Sequence, residues 1–429
     1  MRAVIMAGGK GTRLAGINAD IPKPMFPVCG KPILEYQIES LVRSEIKDIT
    51  IIVGHLRQTI IDHFGDGSKF GVHISYIEEY EPLGTAGALY YLKEKITEDF
   101  ILIFGDLILD VDFERFLDFH KSHRAMITLY GHPNSHPYDS DLILVKVNGN
   151  VTGIGSKKEE RSYYYHNFVN AGLYCINAKV LETILLPEKL DLEKKVIAEQ
   201  IEKGTVYAYR STEYVKDMGT PDRLIAVSKD VENGVLHGRS LKKKQKAVFL
   251  DRDGTINEYV GFLTRAEQFR LLPNVAKAIA KINASSYLTI VATNQPVIAR
   301  GECRYKELEQ IHMKMETELG KNGAYLDDIF FCPHHPHKGY EGEVPELKID
   351  CECRKPKIGM LTDAAEKYNI DLRQSWYIGD TTMDIQTGKN AGMKTILVKT
   401  GEGGQDNKYD VTPDYIASDL LSAVDYILG

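Results

Sequence analysis

Short apolar runs separated by amphipathic helical patterns begin twice along this chain of 429 residues. The first series opens with AVIMA at residues 3–7, and helical patterns follow at residues 33–42 and 85–92. The second series opens with KAVFLD at residues 246–251. Apolar runs of about four to eight residues between such patterns are typical of βαβ units, whose parallel strands are covered by helices. The sequence therefore predicts an α/β fold in two domains, each with a Rossmann-like parallel sheet.

The boundary between the domains is indicated by the end of the first series. Thr220-Pro221 is an N-cap residue followed by proline at the first helical position, and the helix it opens would end near Asn233. The next residues, HGRSLKKKQ, are polar and charged without an apolar period, so we expect a linker or an arm packed on the surface. The predicted division is a first domain at 1–236, a linker at 237–245 and a second domain at 246–429.

Composition excludes several classes of protein. Hydrophobic residues make up 43% and charged residues 26%, which excludes wholesale disorder, collagen and coiled coil. The formal charge is −7 and the only basic run spans 242–244, so we expect no nucleic-acid partner. No apolar stretch approaches the roughly 20 residues that cross a bilayer, and the N-terminus has no signal-peptide pattern. We therefore expect a cytoplasmic protein with no membrane partner, whose oligomeric state stays open.

A glycine-rich turn, AGGKGTRL at residues 7–14, follows the first predicted strand. Glycines let the backbone approach a phosphate with its N–H groups turned inward, and Lys10 and Arg13 offset phosphate charge. No Gly-Lys-Ser/Thr opens a helix here, so the turn is not a P-loop. Five further motifs follow in the same half: PKP at 22–24, LGTAGA at 83–88, FGD at 104–106, NAGLY at 170–174 and DMGTP at 217–221.

In this order, these motifs resemble those of the sugar-phosphate nucleotidyltransferase family over about residues 1–235. The resemblance implies that an oxygen of a sugar 1-phosphate attacks the α-phosphorus of a nucleoside triphosphate and that pyrophosphate leaves. It implies that Asp106 and Asp217 hold Mg²⁺, and that Arg13 and Lys23 stabilise charge on the phosphates. The nucleotide-binding residues that it implies are Ala7, Gly8, Gly9, Gly11, Thr12, Thr85 and Gly87.

The sugar end of this first site departs from the family pattern. Many members have a Glu-Lys pair before the NAGLY segment, whereas this chain reads GSKK there. Lys157 is the candidate for binding the sugar phosphate, and Glu193 would replace the missing glutamate. By resemblance, Asn170 and Gly172 face the sugar.

The second series begins with two carboxylates. Asp251 and Asp253 stand at the end of an apolar run, and Gly254 permits a turn that brings both into one site. Two carboxylates near a metal suit phosphoryl transfer, one as nucleophile and one as proton shuttle. Three further motifs complete the set: TN at 293–294, RKP at 354–356 and GD at 379–380.

These motifs resemble the haloacid dehalogenase-like phosphatase superfamily over about residues 246–429. The resemblance implies that Asp251 attacks phosphorus and forms an aspartyl phosphate, while Asp253 protonates the leaving oxygen and then activates water. We expect Asp384 to be a partner of the metal ligands. The further contacts that it implies are Thr293 and Lys355 on the phosphoryl oxygens, Asn294, Arg300 and Arg354 on the substrate, and Mg²⁺ on Asp251, Asp380 and the main-chain carbonyl of Asp253.

Cysteine is too sparse for a disulfide scaffold, with six residues in the chain, yet three of the six are clustered. Two Cys-containing pairs flank a polar loop and offer three thiolates and one imidazole, which predicts a tetrahedral structural Zn²⁺ site. The loop cannot bury its own core, so a metal would fix it. We expect His335 and His337 to be spare and exposed. The predicted ligands are Cys332, His334, Cys351 and Cys353.

The zinc loop, followed by CRKP, resembles the D-glycero-D-manno-heptose 1,7-bisphosphate phosphatase clade, although TNQPVI at 293–298 replaces the usual TNQSGI. Such a phosphatase releases a heptose 1-phosphate, the type of acceptor that the first domain would activate. The fusion implies removal of the 7-phosphate and then transfer of GMP from GTP, giving a GDP-heptose for a bacterial surface glycan. Three alternatives stay open: transfer to mannose 1-phosphate or from another nucleotide, a phosphatase acting on histidinol phosphate, or one half that is a non-catalytic sensor.

Overall fold

The computed structural model describes residues 1–9 and 20–429. Lys10, Gly11, Thr12 and Arg13 lie outside the described residues. The chain divides into two compact units, each built from three segments. The first unit comprises Met1–His132, Asp141–Ser156 and Phe168–Ser240, and the second comprises Pro133–Ser140, Lys157–Asn167 and Leu241–Gly429.

The strands of the first unit are β1 Arg2–Ala7, β2 Pro27–Val28, β3 Lys31–Pro32, β4 Asp48–Val53, β5 His73–Glu78, β6 Phe100–Phe104, β7 Leu107–Asp110, β8 Ile127–His132, β9 Leu142–Val145, β10 Val151–Gly155, β11 Val169–Ile176, β12 Val206–Arg210 and β13 Tyr214–Asp217. Its α-helices are α1 Ile33–Arg43, α2 Arg57–Phe64, α3 Phe113–Ser122, α4 Ala198–Glu202, α5 Pro221–Glu232 and α6 Val235–Gly238. Nine of the strands in the described ranges form one sheet, in which β6, β1, β4 and β5 are neighbours and parallel.

The core of the first unit lies on both faces of this sheet. Ala3 and Ile5 pack into one buried cluster, whereas Val4 between them packs into the other. Successive side chains of a strand point to opposite faces. A strand in a sheet that is covered on both faces must therefore be apolar at every position, as the run at 3–7 is. The carboxyl ends of β1, β4, β5 and β6 consequently meet at one edge, where ligands of such sheets bind.

The strands of the second unit are β14 Lys246–Leu250, β15 Tyr287–Asn294, β16 Asp328–Cys332, β17 Trp376–Gly379, β18 Lys394–Val398 and β19 Tyr415–Ala417. Its α-helices are α7 Val275–Asn283, α8 Tyr305–Lys321, α9 Gly359–Tyr368, α10 Thr382–Asn390 and α11 Leu420–Leu428. The strands form a parallel sheet in the order β16-β15-β14-β17-β18-β19. Because β14 lies between β15 and β17, residues that follow these three strands converge at the centre of one edge.

The fold class agrees with the sequence prediction, because both units are α/β. The sheet of the second unit is parallel as predicted, whereas that of the first is mixed, with β11 antiparallel to β6 and β8. The predicted first strand at 3–7 lies within β1, and α5 begins after its Thr220 cap, whose side chain accepts a hydrogen bond from the Arg223 N–H. The core of the second unit also alternates, with Val248 and Phe249 in different clusters.

One predicted helix, at residues 85–92, is wrong in kind. The segment forms a 3₁₀ helix over Gly87–Leu92. The Ala86 N–H donates to the Leu190 carbonyl, and the Thr85 hydroxyl accepts from the Leu192 N–H. Because the start of the segment is bonded to another part of the chain, it does not nucleate a longer α-helix.

The predicted linker is partly buried, which corrects the expectation of a surface arm. Helix α6 extends to Gly238, and the side chains of Arg239 and Ser240 are buried. Leu241 packs into a core cluster of the second unit, and the Gln245 N–H donates to the Asn369 carbonyl. Because the lysines at 242–244 make the segment polar, the sequence did not indicate that Arg239, Ser240 and Leu241 are buried.

Two segments early in the sequence, Pro133–Ser140 and Lys157–Asn167, belong to the second unit. Within that unit the Tyr165 N–H donates to Thr317 Oγ1 of α8 over 2.9 Å. The sequence analysis predicted two contiguous domains and did not assign these two segments to the second. Along the described ranges, no helix is long and apolar enough to cross a membrane.

Candidate active sites

Three carboxylates meet at the central edge of the second unit's sheet. Asp251 follows β14, Asp380 follows β17, and Asp384 lies in the first turn of α10. One oxygen of each lies within 4.8 Å of the others. The buried Lys355 ammonium donates to Asp251 Oδ1 over 2.8 Å and to Asp384 Oδ1 over 2.6 Å. The nucleophile and the cation predicted from sequence are therefore in direct contact.

Burial and mutual repulsion govern the electrostatics of this cluster. Burial raises the pKa of Asp251 to about 6, although Lys355 opposes the rise. Burial, followed by Asp384 and Asp251, raises the pKa of Asp380 to about 8. Burial alone would lower the pKa of Lys355, but Asp251 and Asp384 outweigh it and raise the pKa well above the usual value. Lys355 therefore stays protonated. Its single positive charge offsets only part of the negative charge of the three carboxylates.

The acidic cluster fits a divalent cation. Asp380 Oδ1 is buried and has no hydrogen-bond partner among the described residues, whereas Oδ2 accepts from the Glu402 N–H over 2.8 Å. A Cβ at either Gly254 or Gly401 would collide with the Asp380 carboxylate, so glycine is required on both sides of it. Carboxylate oxygens are the ligands that Mg²⁺ prefers, and an orphaned buried oxygen is what a missing cation would satisfy.

Asp253 points to a different set of partners. Its Oδ1 accepts from Arg252 over 3.0 Å and from Asn257 over 3.0 Å. Its Oδ2 accepts from Arg252 over 2.8 Å and from Gln295 over 3.0 Å. Gln295 also donates to Thr293 Oγ1 over 3.0 Å, so the predicted proton shuttle and the predicted phosphoryl-binding hydroxyl share one amide.

Arg252, Asn257 and Gln295 are functional candidates that the sequence prediction missed. Arg252 lies between the two motif aspartates, and Gln295 follows the predicted Thr293-Asn294 pair directly. The sequence could have indicated these three residues only through their positions inside or close to the motifs.

The predicted substrate-binding residues of the second unit lie in two places. Asn294 exchanges hydrogen bonds with the Lys355 backbone, and the Arg354 guanidinium donates to the His334 carbonyl over 3.1 Å. The Arg300 guanidinium stands 4.0 Å from the centre of the Phe262 ring and 4.4 Å from that of Tyr340. A guanidinium held between two rings is fixed in orientation.

The four predicted zinc ligands are gathered at one point. Their ligand atoms all lie within 4.8 Å of one another, with Cys353 Sγ 3.2 Å from Cys332 Sγ and 3.2 Å from His334 Nδ1. Zinc–sulfur bonds of about 2.3 Å in a tetrahedron separate the sulfurs by about 3.8 Å, so the set fits Zn²⁺. His335 corrects the prediction: it is buried, because its Nδ1 contacts the His337 carbonyl over 3.1 Å and its ring packs on Tyr340.

At the sheet edge of the first unit, Ala7 is buried and Gly8 and Gly9 follow it. A Cβ on Gly8 would collide with the Glu79 carboxylate, and one on Gly54 would collide with the Gly8 carbonyl. Only glycine fits at these two close approaches. Glu79, which the sequence prediction missed, is buried, and burial raises its pKa.

Asp106 and Asp217 lie beside one another at the end of the β7–β13 ladder. Asp217 pairs with Leu107, and the Met218 N–H donates to the Asp106 carbonyl over 3.0 Å. Lys23 forms an ion pair with Asp106, and Arg223 donates twice to Asp217, over 2.6 and 2.7 Å.

Burial would raise the pKa of Asp217, but Arg223 and Lys23 outweigh it and lower the pKa. Asp217 is therefore ionised at neutral pH, and a pair of neighbouring carboxylates fits Mg²⁺. Arg223 is a further residue that the sequence prediction missed.

The predicted sugar residues are only partly brought together. Asn170 Nδ2 donates to Glu193 Oε1 over 2.7 Å, and the Tyr174 hydroxyl donates to the same oxygen over 3.0 Å. Gly172 has a φ of +76°, which favours glycine. Lys157 is exposed and belongs to the segments of the second unit, so its role at the sugar stays a prediction. Thr85 and Gly87 lie at the start of the 3₁₀ segment described above.

Comparison with known proteins assigns a family to each of the two domains. Residues 2–234 match the family model described as Nucleotidyl transferase, and residues 352–423 match the model described as HAD-hydrolase-like. The chain belongs to the nucleotidyl transferase family and joins that domain to a haloacid dehalogenase-like phosphatase domain. It is an enzyme with transferase and phosphatase domains in one polypeptide.

Two curated relatives match different halves of the chain. D-glycero-beta-D-manno-heptose-1,7-bisphosphate 7-phosphatase of Haemophilus ducreyi is 37% identical over 185 residues, 43% of this chain and 98% of that protein. Mannose-1-phosphate guanylyltransferase of Mycobacterium tuberculosis is 30% identical over 243 residues, 56% of this chain and 67% of that protein. A solved structure of D,D-heptose 1,7-bisphosphate phosphatase from B. bronchiseptica, complexed with magnesium and phosphate, is 33% identical and covers 43% of this chain and 98% of that chain, with a TM-score of 0.38.

Proposed function

We propose that this chain is a bifunctional enzyme of GDP-heptose synthesis. Its second domain removes the 7-phosphate of D-glycero-D-manno-heptose 1,7-bisphosphate, and its first domain transfers GMP from GTP to the resulting heptose 1-phosphate. The observation that supports this most is the Lys355–Asp251 contact in a phosphatase domain that shares a chain with a nucleotidyltransferase. The product of the one reaction is the class of acceptor that the other requires.

In the phosphatase reaction, Asp251 attacks the phosphorus and the bond from phosphorus to the sugar oxygen breaks. Asp253 gives its proton to that oxygen as it leaves. Asp253 then takes a proton from water, the water oxygen attacks the aspartyl phosphate, and inorganic phosphate is released with Asp251 regenerated. Lys355 and Thr293 hold the phosphoryl oxygens, while Asn294, Arg300 and Arg354 bind the rest of the substrate. Asp251, Asp380 and the Asp253 carbonyl would hold Mg²⁺, which when bound would supply positive charge to offset that of the phosphoryl group.

In the transferase reaction, an oxygen of the sugar 1-phosphate attacks the α-phosphorus of GTP and the bond to the β-phosphate oxygen breaks. The protein mainly positions the two anions and neutralises charge. Lys23 contacts phosphate oxygens, and Arg13, outside the described residues, would stabilise the leaving pyrophosphate. Asp106 and Asp217 would hold Mg²⁺. Glu193 and Asn170 would bind sugar hydroxyls, with Lys157 on the sugar phosphate.

The cysteine and histidine cluster is proposed to hold a structural Zn²⁺ that folds the loop between Cys332 and Cys353. It supplies three thiolates and one imidazole and leaves no open ligand position. The metal would stabilise the loop rather than take part in catalysis.

A second candidate acceptor is mannose 1-phosphate, because one relative of the first domain is named as a mannose-1-phosphate guanylyltransferase. A panel of sugar 1-phosphates and nucleoside triphosphates tests this directly. We expect the highest kcat/KM for heptose 1-phosphate with GTP, and a preference for mannose 1-phosphate would contradict the proposal. For the phosphatase, comparing heptose bisphosphate with histidinol phosphate separates the two substrates that share a zinc loop. Wild-type protein without turnover in one reaction would make that half a sensor.

A further inference from the structure

Arg252 is the largest fully buried side chain of the described residues, and it lies between the two motif aspartates. A guanidinium is always charged and strongly hydrated, so burying it is costly unless its donors are satisfied. Its Nη2 donates to Asp253 over 2.8 Å and to Gln295 Oε1 over 2.9 Å, and its Nε donates to Asp253 over 3.2 Å. The fork of Arg252 therefore binds the Asp253 carboxylate side-on.

The other end of the guanidinium is anchored on α8. Arg252 Nη1 lies 3.3 Å from His312 Nε2. His312 is buried, and burial, followed by the Arg252 charge and His166, lowers its pKa well below the usual value. A neutral imidazole has one acceptor nitrogen, so Nε2 accepts the guanidinium N–H. The ring also packs edge-on against Phe331, with 5.5 Å between ring centres.

The two motif aspartates are thereby paired with different cations. Asp251 binds Lys355, and Asp253 binds Arg252. Without Arg252, the Asp253 carboxylate would keep only the neutral side-chain amides of Asn257 and Gln295 as hydrogen-bond partners and would lose the cation that pairs with it. The separation matters because one carboxylate must attack phosphorus while the other must handle protons.

We infer that Arg252, anchored by His312, is a positioning residue that holds the Asp253 carboxylate apart from the Asp251–Lys355 pair for its two proton transfers. The inference rests on the proposed phosphatase reaction. In the proposed reaction Arg252 contacts neither the phosphoryl group nor the leaving oxygen, and it acts on Asp253 both directly and by way of the Gln295 amide that donates to Asp253.

The test uses the full chain with Arg252→Met, Asp253→Asn and the double variant, in Mg²⁺ and Zn²⁺. With an alkyl ester such as heptose bisphosphate, Asp253 must protonate a poor leaving group, so we expect Arg252→Met to lower kcat about 100-fold with little change in KM. With 4-nitrophenyl phosphate, the leaving group needs no proton. The burst of nitrophenol release should then stay within about threefold of wild type, while hydrolysis of the aspartyl phosphate slows about 100-fold.

The double variant separates positioning from a general structural role. If Arg252 acts through Asp253, adding Arg252→Met to Asp253→Asn should cause no further loss of activity. The matched control is Lys314→Met, which removes a buried cation of α8 that is bonded to the Ala266 carbonyl and not to Asp253. It should leave the ratio of the two rates unchanged. His312→Leu, which keeps Arg252 and removes its anchor, should slow the same proton-dependent steps and serves if Arg252→Met does not fold.

Two results would overturn the inference: an Arg252→Met enzyme within about threefold of wild type on the alkyl ester, or an equal loss in the burst and in aspartyl phosphate hydrolysis. Wild-type protein that hydrolyses neither ester would instead overturn the proposed phosphatase reaction, and the role of Arg252 with it. Hydrolysis of 4-nitrophenyl phosphate without activity on heptose bisphosphate would overturn only the sugar assignment, because the dephosphorylation step still tests Arg252.

Discussion

Lys355 Nζ lies 2.8 Å from Asp251 Oδ1, and both side chains are buried at the end of the central strand β14. Lys355 and Asp251 are far apart in sequence. Strand β17 lies between Lys355 and helix α10, which carries Asp384, the second partner of Lys355. The contact places a cation against the carboxylate that we propose as the nucleophile. In the proposed reaction it would restrain Asp251 and offset the negative charge of the incoming phosphoryl group.

Replacing Lys355 with methionine should lower phosphatase kcat by about 100-fold or more, because a buried donor to the transferred group is lost. Steady-state hydrolysis of 4-nitrophenyl phosphate measures the effect. The matched control is Lys357→Met, two residues along, whose ammonium binds the exposed Asp350 and Glu352. Full phosphatase activity in Lys355→Met would show that this lysine has no role in the reaction.

Magnesium should stabilise the protein more at high pH than at low pH. The pKa of Asp251 is raised to about 6 and that of Asp380 to about 8, above the values near 4 of an unfolded chain. Between about pH 4 and pH 8 the metal-free folded state thus binds more protons than the unfolded state, and its free energy of unfolding falls as pH rises. Mg²⁺ competes with those protons.

Thermal unfolding with and without Mg²⁺ measures this linkage. The rise in Tm on adding Mg²⁺ should be larger at about pH 8 than at about pH 5.5, and Asp380→Asn should abolish the difference. An equal rise at both pH values in wild type would argue against a magnesium site at these carboxylates.

Zinc should be retained through purification and required for the stability of the phosphatase domain. Cys353 Sγ contacts Cys332, Cys351 and His334, so Cys353→Ser should reduce bound zinc from about one equivalent to none and lower the Tm. Cys303→Ser, a buried cysteine of the same unit whose thiol contacts the Thr264 carbonyl, is the control and should keep its zinc. Zinc-free wild-type protein with an unchanged Tm would refute the structural metal.

Glu193→Gln should impair binding of the sugar phosphate. Asn170 and Tyr174 both donate to one oxygen of this half-buried carboxylate, which orients it, and a charged acceptor for sugar hydroxyls is lost in the variant. We expect KM for the sugar 1-phosphate to rise about tenfold with KM for GTP unchanged. The exposed Glu199→Gln of α4 is the control. A selective rise in KM for GTP would move Glu193 to the nucleotide end of the site.

Much of the fold and part of both sites follow from sequence because parallel sheets place the ends of their strands together. Asp251 and Asp380 directly follow β14 and β17, and Thr293 lies at the end of β15, so their convergence needs only the strand order. The clustering of Cys332, His334, Cys351 and Cys353 could be predicted because thiolates at short spacing in one loop have few uses other than binding a metal.

Other features depend on contacts between distant segments that no local pattern specifies. Arg252 gains its importance from His312 on α8 and Gln295 after β15. Likewise, Lys157–Asn167 belongs to the second unit although the sequence around it continues the first. The failed helix at 85–92 has the same origin, because its first N–H and hydroxyl groups bind residues 190–192.

A single incubation shows whether one chain performs the two consecutive reactions. Full-length protein is mixed with heptose 1,7-bisphosphate, GTP, Mg²⁺ and Zn²⁺, with the α and β anomers in separate reactions, and sugar nucleotide is detected by mass spectrometry. We predict GDP-heptose, inorganic phosphate and pyrophosphate from wild type. Asp251→Asn should form GDP-heptose from heptose 1-phosphate but none from the bisphosphate. No GDP-heptose from either anomer of the bisphosphate with wild-type protein would contradict the account.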